Sequence, residues 1–257
     1  MHVLERPAPP PDRTLAYDAR ASAVVDVFDP VGEPSGLAVV LHGGFWRAAY
    51  DRVHLRCLAA ALADRTGMTI ALPEYRRVGE PGGGVPGTLE DVAAIFARVP
   101  ASLGVGASQT VVVGHSAGGH LAVLGAIGAT TAPRRVVCLA GVLDLAAAHA
   151  ARLSNGAVAE LLGEYDPSTA RVAAIDPMRL PVPACDVVLI HGERDDEVPV
   201  DYSRAYARRL DRDHGGGMAG GSAPRGGITV LPEADHYDVI DPHSSAFDVV
   251  ARAIRVG

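Results

Sequence analysis

Short apolar runs alternate with alanine-rich segments of helical periodicity along most of this chain, and this alternation limits the folds open to it. The runs are rich in Val, Leu and Ile and carry no polar face, which is typical of strands covered on both sides by helices. They lie at residues 37–41, 68–72, 110–113, 135–139, 186–190 and 228–231. The sequence therefore predicts an α/β fold built on a mostly parallel sheet.

The segments between the runs carry apolar residues three and four positions apart, which predicts helices on both faces of the sheet. The predicted helices lie near residues 54–65, 89–98, 117–128, 202–212 and 245–254. Two weaker strands, near residues 16–20 and 23–28, are expected to pair antiparallel at one edge. With the apolar runs they make a sheet of about eight strands, within the usual range for such folds.

Length and pattern favour a single domain over residues 1–257, since α/β folds of about 250 residues are routinely one domain. Residues 1–15 include three consecutive prolines and are predicted to form an exposed, extended lead-in. Residues 144–183 show no convincing strand and are predicted to form a lid-like excursion over one end of the sheet. Residues 214–227 contain seven glycines, which indicates a flexible loop.

The charged residues exclude several kinds of function. All 23 basic residues are arginine, so no lysine is present for a Schiff base, a pyridoxal phosphate site, a Walker-type phosphate loop or a Ser-Lys dyad. The net charge is −7 and the basic residues are scattered, which argues against binding of nucleic acid. We expect a small-molecule substrate, and the sequence leaves open whether the protein forms a homodimer.

The apolar segments are too short for a membrane protein, since none approaches the roughly 20 residues needed to cross a bilayer. The first residues also lack the apolar stretch of a secretory signal. We therefore expect a cytoplasmic protein that does not associate with membranes. His115 and His120 have no acidic residue at ligand spacing, so no metal site is predicted. No cofactor is expected either.

A candidate nucleophile follows the strand at residues 110–113. The sequence Gly114-His-Ser116-Ala-Gly118 is a G-x-S-x-G pattern that leads directly into an alanine- and leucine-rich helix. In this setting the serine takes a strained backbone conformation, and small residues two positions before and after it prevent a clash between strand and helix. The pattern predicts that Ser116 projects from the carboxyl edge of the sheet.

A serine hydroxyl needs a base to take its proton, and without lysine that base is expected to be histidine. His236 follows the last predicted strand, and Asp195 follows the strand before it, so both emerge at the same edge as Ser116. We assign His236 as the general base and Asp195 as the acid that orients it. Asp196 and Asp144 remain alternative acids.

An oxyanion hole is predicted at the end of an early strand, where the sequence is His42-Gly-Gly44-Phe45-Trp46. Glycines allow the backbone to approach a ligand with its N–H groups. We assign the donors to the amides of Gly44, Phe45 and, across the site, Ala117.

Other residues near these positions have more than one interpretation. Trp46 and Tyr237 are candidate substrate-contacting residues, and for Trp46 packing beneath the loop is an equally good alternative. His42 and His191 each follow or end a strand and are predicted to support the site without contacting the substrate.

These residues together resemble the α/β-hydrolase superfamily, from about residue 23 to residue 254. The H-G-G-x-W segment at 42–46 and the stretch Asp235-His-Tyr-Asp-Val-Ile240 are similar to kynurenine formamidases (arylformamidases) and related small bacterial esterases. The resemblance implies a triad at Ser116, Asp195 and His236 and an oxyanion loop at the H-G-G-x-W segment. Residues 214–227 match no motif of that family.

The resulting hypothesis is a serine hydrolase that cleaves a small ester or amide through an acyl-enzyme intermediate. An N-formyl aryl amide is one favoured substrate. The alternatives are a general short-chain carboxylesterase and a hydrolase fold that binds a ligand without catalysis, because fold alone does not establish activity.

Overall fold

The predicted apolar runs form the strands of one sheet in the computed structural model, which describes residues 3–215 and 226–255. The strands are β1 (Arg13–Ala16), β2 (Val24–Phe28), β3 (Leu37–Leu41), β4 (Thr69–Pro73), β5 (Thr110–His115), β6 (Arg135–Leu139), β7 (Asp186–Gly192) and β8 (Gly226–Leu231). Their order across the sheet is β1-β2-β4-β3-β5-β6-β7-β8. Strands β1, β2 and β4 pair antiparallel, and every other pairing is parallel, so the fold prediction is confirmed.

Helices lie on both faces of this sheet. They are α1 (Arg56–Thr66), α2 (Gly87–Ser102), α3 (Ala117–Gly128), α4 (Leu145–Ala150), α5 (Leu153–Leu162), α6 (Thr169–Ala173), α7 (Val200–Gly215) and α8 (Phe247–Ile254). In the described part of the chain every helix is too short or too polar to span a bilayer.

Each strand supplies two cores because successive side chains point to opposite faces. On β3, Leu37, Val39 and Leu41 pack on one face with α2, α3 and α7. The intervening Ala38 and Val40 pack on the other face with α1 and α8. All five residues of β3 are buried, which explains why the sequence shows an apolar run there instead of alternation.

The amino-terminal region differs from the prediction in two ways. The first edge strand is Arg13–Ala16 and does not lie near 16–20, because the chain turns after Ala16. The N–H of Tyr17 donates to the carbonyl of Ala23, and the N–H of Ala23 donates to the carbonyl of Arg20. Residues 1–15 are also not simply an exposed lead-in. Val3 is only 4% exposed and packs on the second core, and Arg6 forms a salt bridge with Asp241.

The excursion at residues 144–183 contains helices α4, α5 and α6 and, among its described residues, no strand. A run of left-handed backbone at 152 and 154–156 separates α4 from the main part of α5. The predicted flexible loop at 214–227 falls mostly outside the described residues, although β8 already begins at Gly226.

His120 joins helix α3 to this excursion, and the contact leads to a prediction about acid stability. Its Nε2 donates to the carbonyl of Ile175 at 2.9 Å, and burial lowers the pKa of His120 to about 4. In an unfolded chain the pKa is about 6.5, so between these values the unfolded state binds more protons than the folded state. The free energy of unfolding therefore falls as the pH drops from 7 to 5, with about 2 kcal/mol of the fall due to His120.

The His120→Gln variant tests this contribution, because the glutamine amide keeps a donor for Ile175 but does not titrate. We expect its free energy of unfolding to change about 2 kcal/mol less than that of the wild type between pH 7 and pH 5. Urea unfolding at both pH values measures the difference. Equal changes in the free energy of unfolding of the two proteins would contradict the assignment of this contribution to His120.

Candidate active site

Ser116 lies at a sharp turn between β5 and α3, as the G-x-S-x-G pattern predicts. Its backbone has φ 55° and ψ −120°, a conformation that non-glycine residues rarely adopt. Such strain costs on the order of 1–3 kcal/mol and persists only where the surroundings enforce it. The turn ends strand β5 at the carboxyl edge of the sheet and begins helix α3 immediately, so Ser116 lies at a helix N-terminus.

The small residues around Ser116 are required by close backbone packing. A Cβ atom at Gly114 would lie 2.2 Å from the carbonyl oxygen of Gly118, and one at Gly118 would lie 2.2 Å from that of Leu41. The next glycine, Gly119, packs on Cys138 of β6, whose Sγ would be 2.6 Å from such a Cβ. Helix α3 therefore sits directly on the sheet, which confirms the steric explanation for the pattern.

His236 and Asp195 lie together at the same edge. Nδ1 of His236 is 2.7 Å from Oδ2 of Asp195, and the side chain of Asp195 is fully buried. Burial alone would raise the pKa of Asp195, but hydrogen bonds from His191 and His236 outweigh it and hold this pKa well below its usual range. The carboxylate therefore stays ionised and keeps the proton of His236 on Nδ1, which leaves Nε2 free to accept one.

The two alternative acids lie elsewhere. Asp196 is exposed to solvent, and Asp144 accepts a hydrogen bond from the Ala147 backbone as the N-terminal cap of α4. Neither contacts the ring of His236, whose only carboxylate partner in the described part of the chain is Asp195. The geometry thus favours Asp195 among the three candidates.

His191 contacts the Asp195 carboxylate on the side away from the cleft. Its Nε2 lies 3.0 Å from both Oδ2 of Asp195 and the carbonyl oxygen of Val198, while its Nδ1 accepts from the Ser203 hydroxyl at 2.8 Å. The backbone N–H of Val198 also donates to Asp195. His191 is fully buried and does not line the cleft, in agreement with a supporting role.

Ser116 and His236 face a common cleft of about 120 Å³. Its lining residues are Leu4, Gly44, Phe45, Arg47, Tyr50, His54, His115, Ser116, Ser154, Glu197, His236 and Tyr237. Within residues 3–215 and 226–255, no hydrogen bond joins the Ser116 hydroxyl to the His236 ring. Catalytic hydrogen bonds are commonly longer in the free protein than in the substrate complex.

The loop at residues 43–46, here called the oxyanion loop, curls beside Ser116. Gly44, Phe45 and Trp46 all have positive φ angles, of 103°, 49° and 59°. The backbone N–H groups of Gly44, Phe45 and Ala117 donate to no other group in the described residues. Three donors are thus available near the nucleophile, as an oxyanion hole requires.

The two candidate substrate-contacting residues lie in different surroundings. Tyr237 lines the cleft, and its ring meets that of His236 edge to face at 5.2 Å. Trp46 is only 1% exposed and does not line the cleft. Its side chain instead packs beneath the loop, edge to face with His120, so the expected substrate contact of Trp46 is replaced by its packing alternative.

Several residues of the cleft are not among the predicted site residues. His115 donates through Nε2 to the carbonyl of His236 at 3.0 Å and so connects the nucleophile turn to the loop of the base. Its position next to Ser116 was a usable signal. Leu4, Arg47 and Ser154 come from distant segments, and nothing in their local sequence indicates that they meet.

Arg47 connects the oxyanion loop to the excursion at 144–183. Its guanidinium donates to the hydroxyl and the carbonyl of Ser154 and to a carboxylate oxygen of Glu160. The excursion thereby contributes Ser154 to the wall of the cleft.

Comparison with known proteins gives a family and a fold. The sequence model of the BD-FAE family matches residues 25–210, which is more than half of the chain. A stretch of 92 residues is 39% identical to a Mycobacterium tuberculosis protein named as an acetyl-hydrolase, LipR. That stretch covers 36% of this chain and 29% of LipR, so the chain matches less than a third of that relative.

Solved esterase structures share the architecture. A truncated carbohydrate esterase from gut microbiota superposes with a TM-score of 0.73 at 20% identity, over 95% of both chains. EstE7, named as an HSL homologue from a metagenome library, gives 0.75 at 17% identity, over 96% of this chain and 86% of EstE7. The chain therefore has the α/β-hydrolase fold.

Proposed function

Because the chain belongs to the BD-FAE family and has the α/β-hydrolase fold, we propose that it is a serine esterase that cleaves short-chain acyl esters. The observation that carries the proposal is the placement of Ser116, on its strained turn, in one cleft with the His236–Asp195 pair. The relatives named as an acetyl-hydrolase and a carbohydrate esterase agree with this chemistry.

The proposed reaction has two steps. Nε2 of His236 takes the proton of Ser116 as the hydroxyl oxygen attacks the ester carbonyl, and the same proton then passes to the departing alcohol. Water, activated by His236 in turn, hydrolyses the acyl-enzyme. Asp195 stabilises the imidazolium that forms in both steps, and the amides of Gly44, Phe45 and Ala117 bind the oxyanion.

The size of the cleft supports a short acyl group. A volume of about 120 Å³ is well below the roughly 300–1,000 Å³ of sites that enclose drug-sized ligands. The wall is partly aromatic, from Phe45, Tyr50 and Tyr237. A small acyl group fits the enclosed part, and a larger alcohol group must extend outside it.

A series of p-nitrophenyl esters tests the proposed acyl preference. We expect kcat/KM to be highest for the acetate and to fall at least about tenfold from the acetate to the octanoate, since the enclosed volume rejects a long chain. Initial rates at matched low substrate concentrations measure this ratio. A preference for the octanoate would contradict a short-acyl site.

An arylformamidase activity is the second candidate, supported by the H-G-G-x-W and D-H-Y-D segments and by the aromatic wall of the cleft. A formyl group is smaller than an acetyl group, so it meets the same size limit. Comparing kcat/KM for N-formylkynurenine with that for the acetate ester distinguishes the two. A value at least about tenfold higher for the formamide would favour the second candidate.

A further inference from the structure

The imidazole of His42 is fully buried next to the oxyanion loop and has polar partners at both nitrogens. Its Nε2 lies 2.7 Å from Oε1 of Glu74, and its Nδ1 lies 2.8 Å from the carbonyl oxygen of Gly43. The ring of Tyr75 stacks on it with centroids 4.3 Å apart. These contacts determine where the ring protons must be.

Nδ1 of His42 must carry a proton, because the carbonyl of Gly43 can only accept. The Tyr75 hydroxyl, 3.4 Å from the same nitrogen, does not change this conclusion. Its single proton is already donated to the backbone carbonyl of His42 at 2.8 Å.

Nε2 of His42 must also carry a proton, because Glu74 is ionised. The Glu74 carboxylate accepts from the backbone N–H groups of Arg52 and Tyr75, and it lies 3.5 Å from the guanidinium groups of Arg52 and Arg77. The two backbone donors and the two guanidinium groups favour the ionised form of Glu74 whatever the state of His42. An ionised carboxylate offers no proton to the ring.

We infer that Glu74 holds His42 as a buried imidazolium, and that the Nδ1–H of His42 fixes the Gly43–Gly44 peptide with the Gly44 N–H directed into the cleft. His42 is then a positioning residue for the oxyanion hole. This inference rests on the proposed function, since it assigns the Gly44 amide to the oxyanion.

The planarity of the peptide bond carries the argument from His42 to the cleft. The carbonyl of Gly43 and the N–H of Gly44 belong to one trans peptide unit, so they point in opposite directions. A carbonyl held by His42 therefore turns the N–H of Gly44 away from His42, and Gly44 lines the cleft. The loop is also close to the nucleophile, because a Cβ atom at Gly43 would lie 2.9 Å from Cβ of Ser116.

The charge of His42 acts on the same peptide. A positive group at the carbonyl end polarises the unit and strengthens the N–H at its other end as a donor. Preorganised donors of this kind act in a cleft where no water has to reorient during the reaction.

The other charged groups around His42 leave Glu74 as its counter-ion. Arg52 also pairs with Asp26, and Arg77 also pairs with Glu80. The neighbouring ring of His54 stays neutral, because burial and then the charge of His42 lower the pKa of His54 to about 4.

Nitrogen-15 NMR of the histidine rings tests the protonation state in the full-length protein at pH 7. We expect both ring nitrogens of His42 to show the shifts of protonated nitrogen, with the signal assigned by its loss in the His42→Asn variant. In Glu74→Gln the new amide can donate to Nε2, so we expect His42 to lose one proton. A bare ring nitrogen in the wild type would overturn the inference.

Steady-state kinetics on the acetate ester test the positioning role. We expect His42→Ala to lower kcat by about 10- to 100-fold with KM within about twofold, less than the 10²–10³ lost when a donor is removed outright. His42→Asn, whose amide N–H reaches the position of Nδ1, is expected to recover most of the loss. His149→Ala, a histidine outside the site, is the matched control.

The results separate this inference from the proposed function. An active wild type whose kcat is unchanged by His42→Ala, or in which only KM rises, would overturn the positioning role and leave the esterase intact. A wild type that hydrolyses no ester would contradict the proposed function, while the NMR spectrum would still decide the charge of His42. If His42→Ala does not fold, the asparagine variant and Glu74→Gln supply the kinetic comparison.

Discussion

Replacing Ser116 with alanine is expected to lower kcat for the acetate ester by at least about 10⁴-fold, since the reaction then lacks its nucleophile. The fold should survive, because the change removes one hydroxyl that, among the described residues, forms no side-chain hydrogen bond. Alanine also keeps the small size that the turn between β5 and α3 demands. Ester hydrolysis by wild-type and variant protein at equal concentration measures the loss.

A fluorophosphonate probe gives an independent readout of the same residue. The wild type should be labelled at Ser116, and Ser116→Ala should not be labelled. Cys57 is a useful internal control, since this half-buried thiol lies outside the cleft and should react with a thiol reagent equally in both proteins. A wild type that resists the probe and hydrolyses no ester would favour a binding protein without catalysis. A variant that hydrolyses the ester at the wild-type rate would contradict the assignment of Ser116 as the nucleophile.

Replacing Asp195 with asparagine is expected to lower kcat by about 10³- to 10⁴-fold, with the larger value known from a triad of this type. The asparagine oxygen can still accept from the Val198 backbone, so its amide nitrogen faces Nδ1 of His236. That amide donates, so the proton of His236 moves to Nε2, the nitrogen that must accept from Ser116. Pre-steady-state kinetics should show the loss in both formation and hydrolysis of the acyl-enzyme, since Nε2 of His236 must accept a proton in each step.

The alternative acids provide matched controls. Asp196→Asn changes an exposed side chain, and Asp144→Asn keeps an N-terminal cap on α4, since asparagine caps as well as aspartate. Both variants should retain kcat within about twofold of the wild type. A loss of about 10³-fold in either variant, with Asp195→Asn active, would reassign the acid.

Much of the fold follows from the sequence because its strong signals are local. The run at 37–41 predicts a strand because both faces of β3 are covered and all its residues are therefore apolar. The G-x-S-x-G pattern at Ser116 predicts the start of α3. The predicted position of the edge strand β1 was wrong because its four residues are mostly exposed and lack an apolar pattern. The burial of Val3 depends on a core whose other members come much later in the chain.

The residues of the site likewise include some that the sequence predicts and some that it does not. Ser116, Asp195 and His236 each follow a strand, so the order of elements brings them to one edge. The role of His42 could not be predicted, because it depends on Glu74 at the end of a neighbouring strand and on the direction of one peptide. The packing of Trp46 likewise depends on His120, which lies 74 positions further along the chain.

The contact between Cys138 and Gly119 makes Cys138 a natural probe of local opening beneath the nucleophile turn. Burial raises the pKa of Cys138 to about 12, so the folded protein offers a reagent neither access to this sulfur nor a thiolate. The sulfur lies against Gly119 of α3 and against Gly141 after β6, so it becomes reactive only when the structure around these glycines opens. The rate of modification at Cys138 therefore reports how often the structure beneath the nucleophile turn opens, without any residue having to be added to the chain.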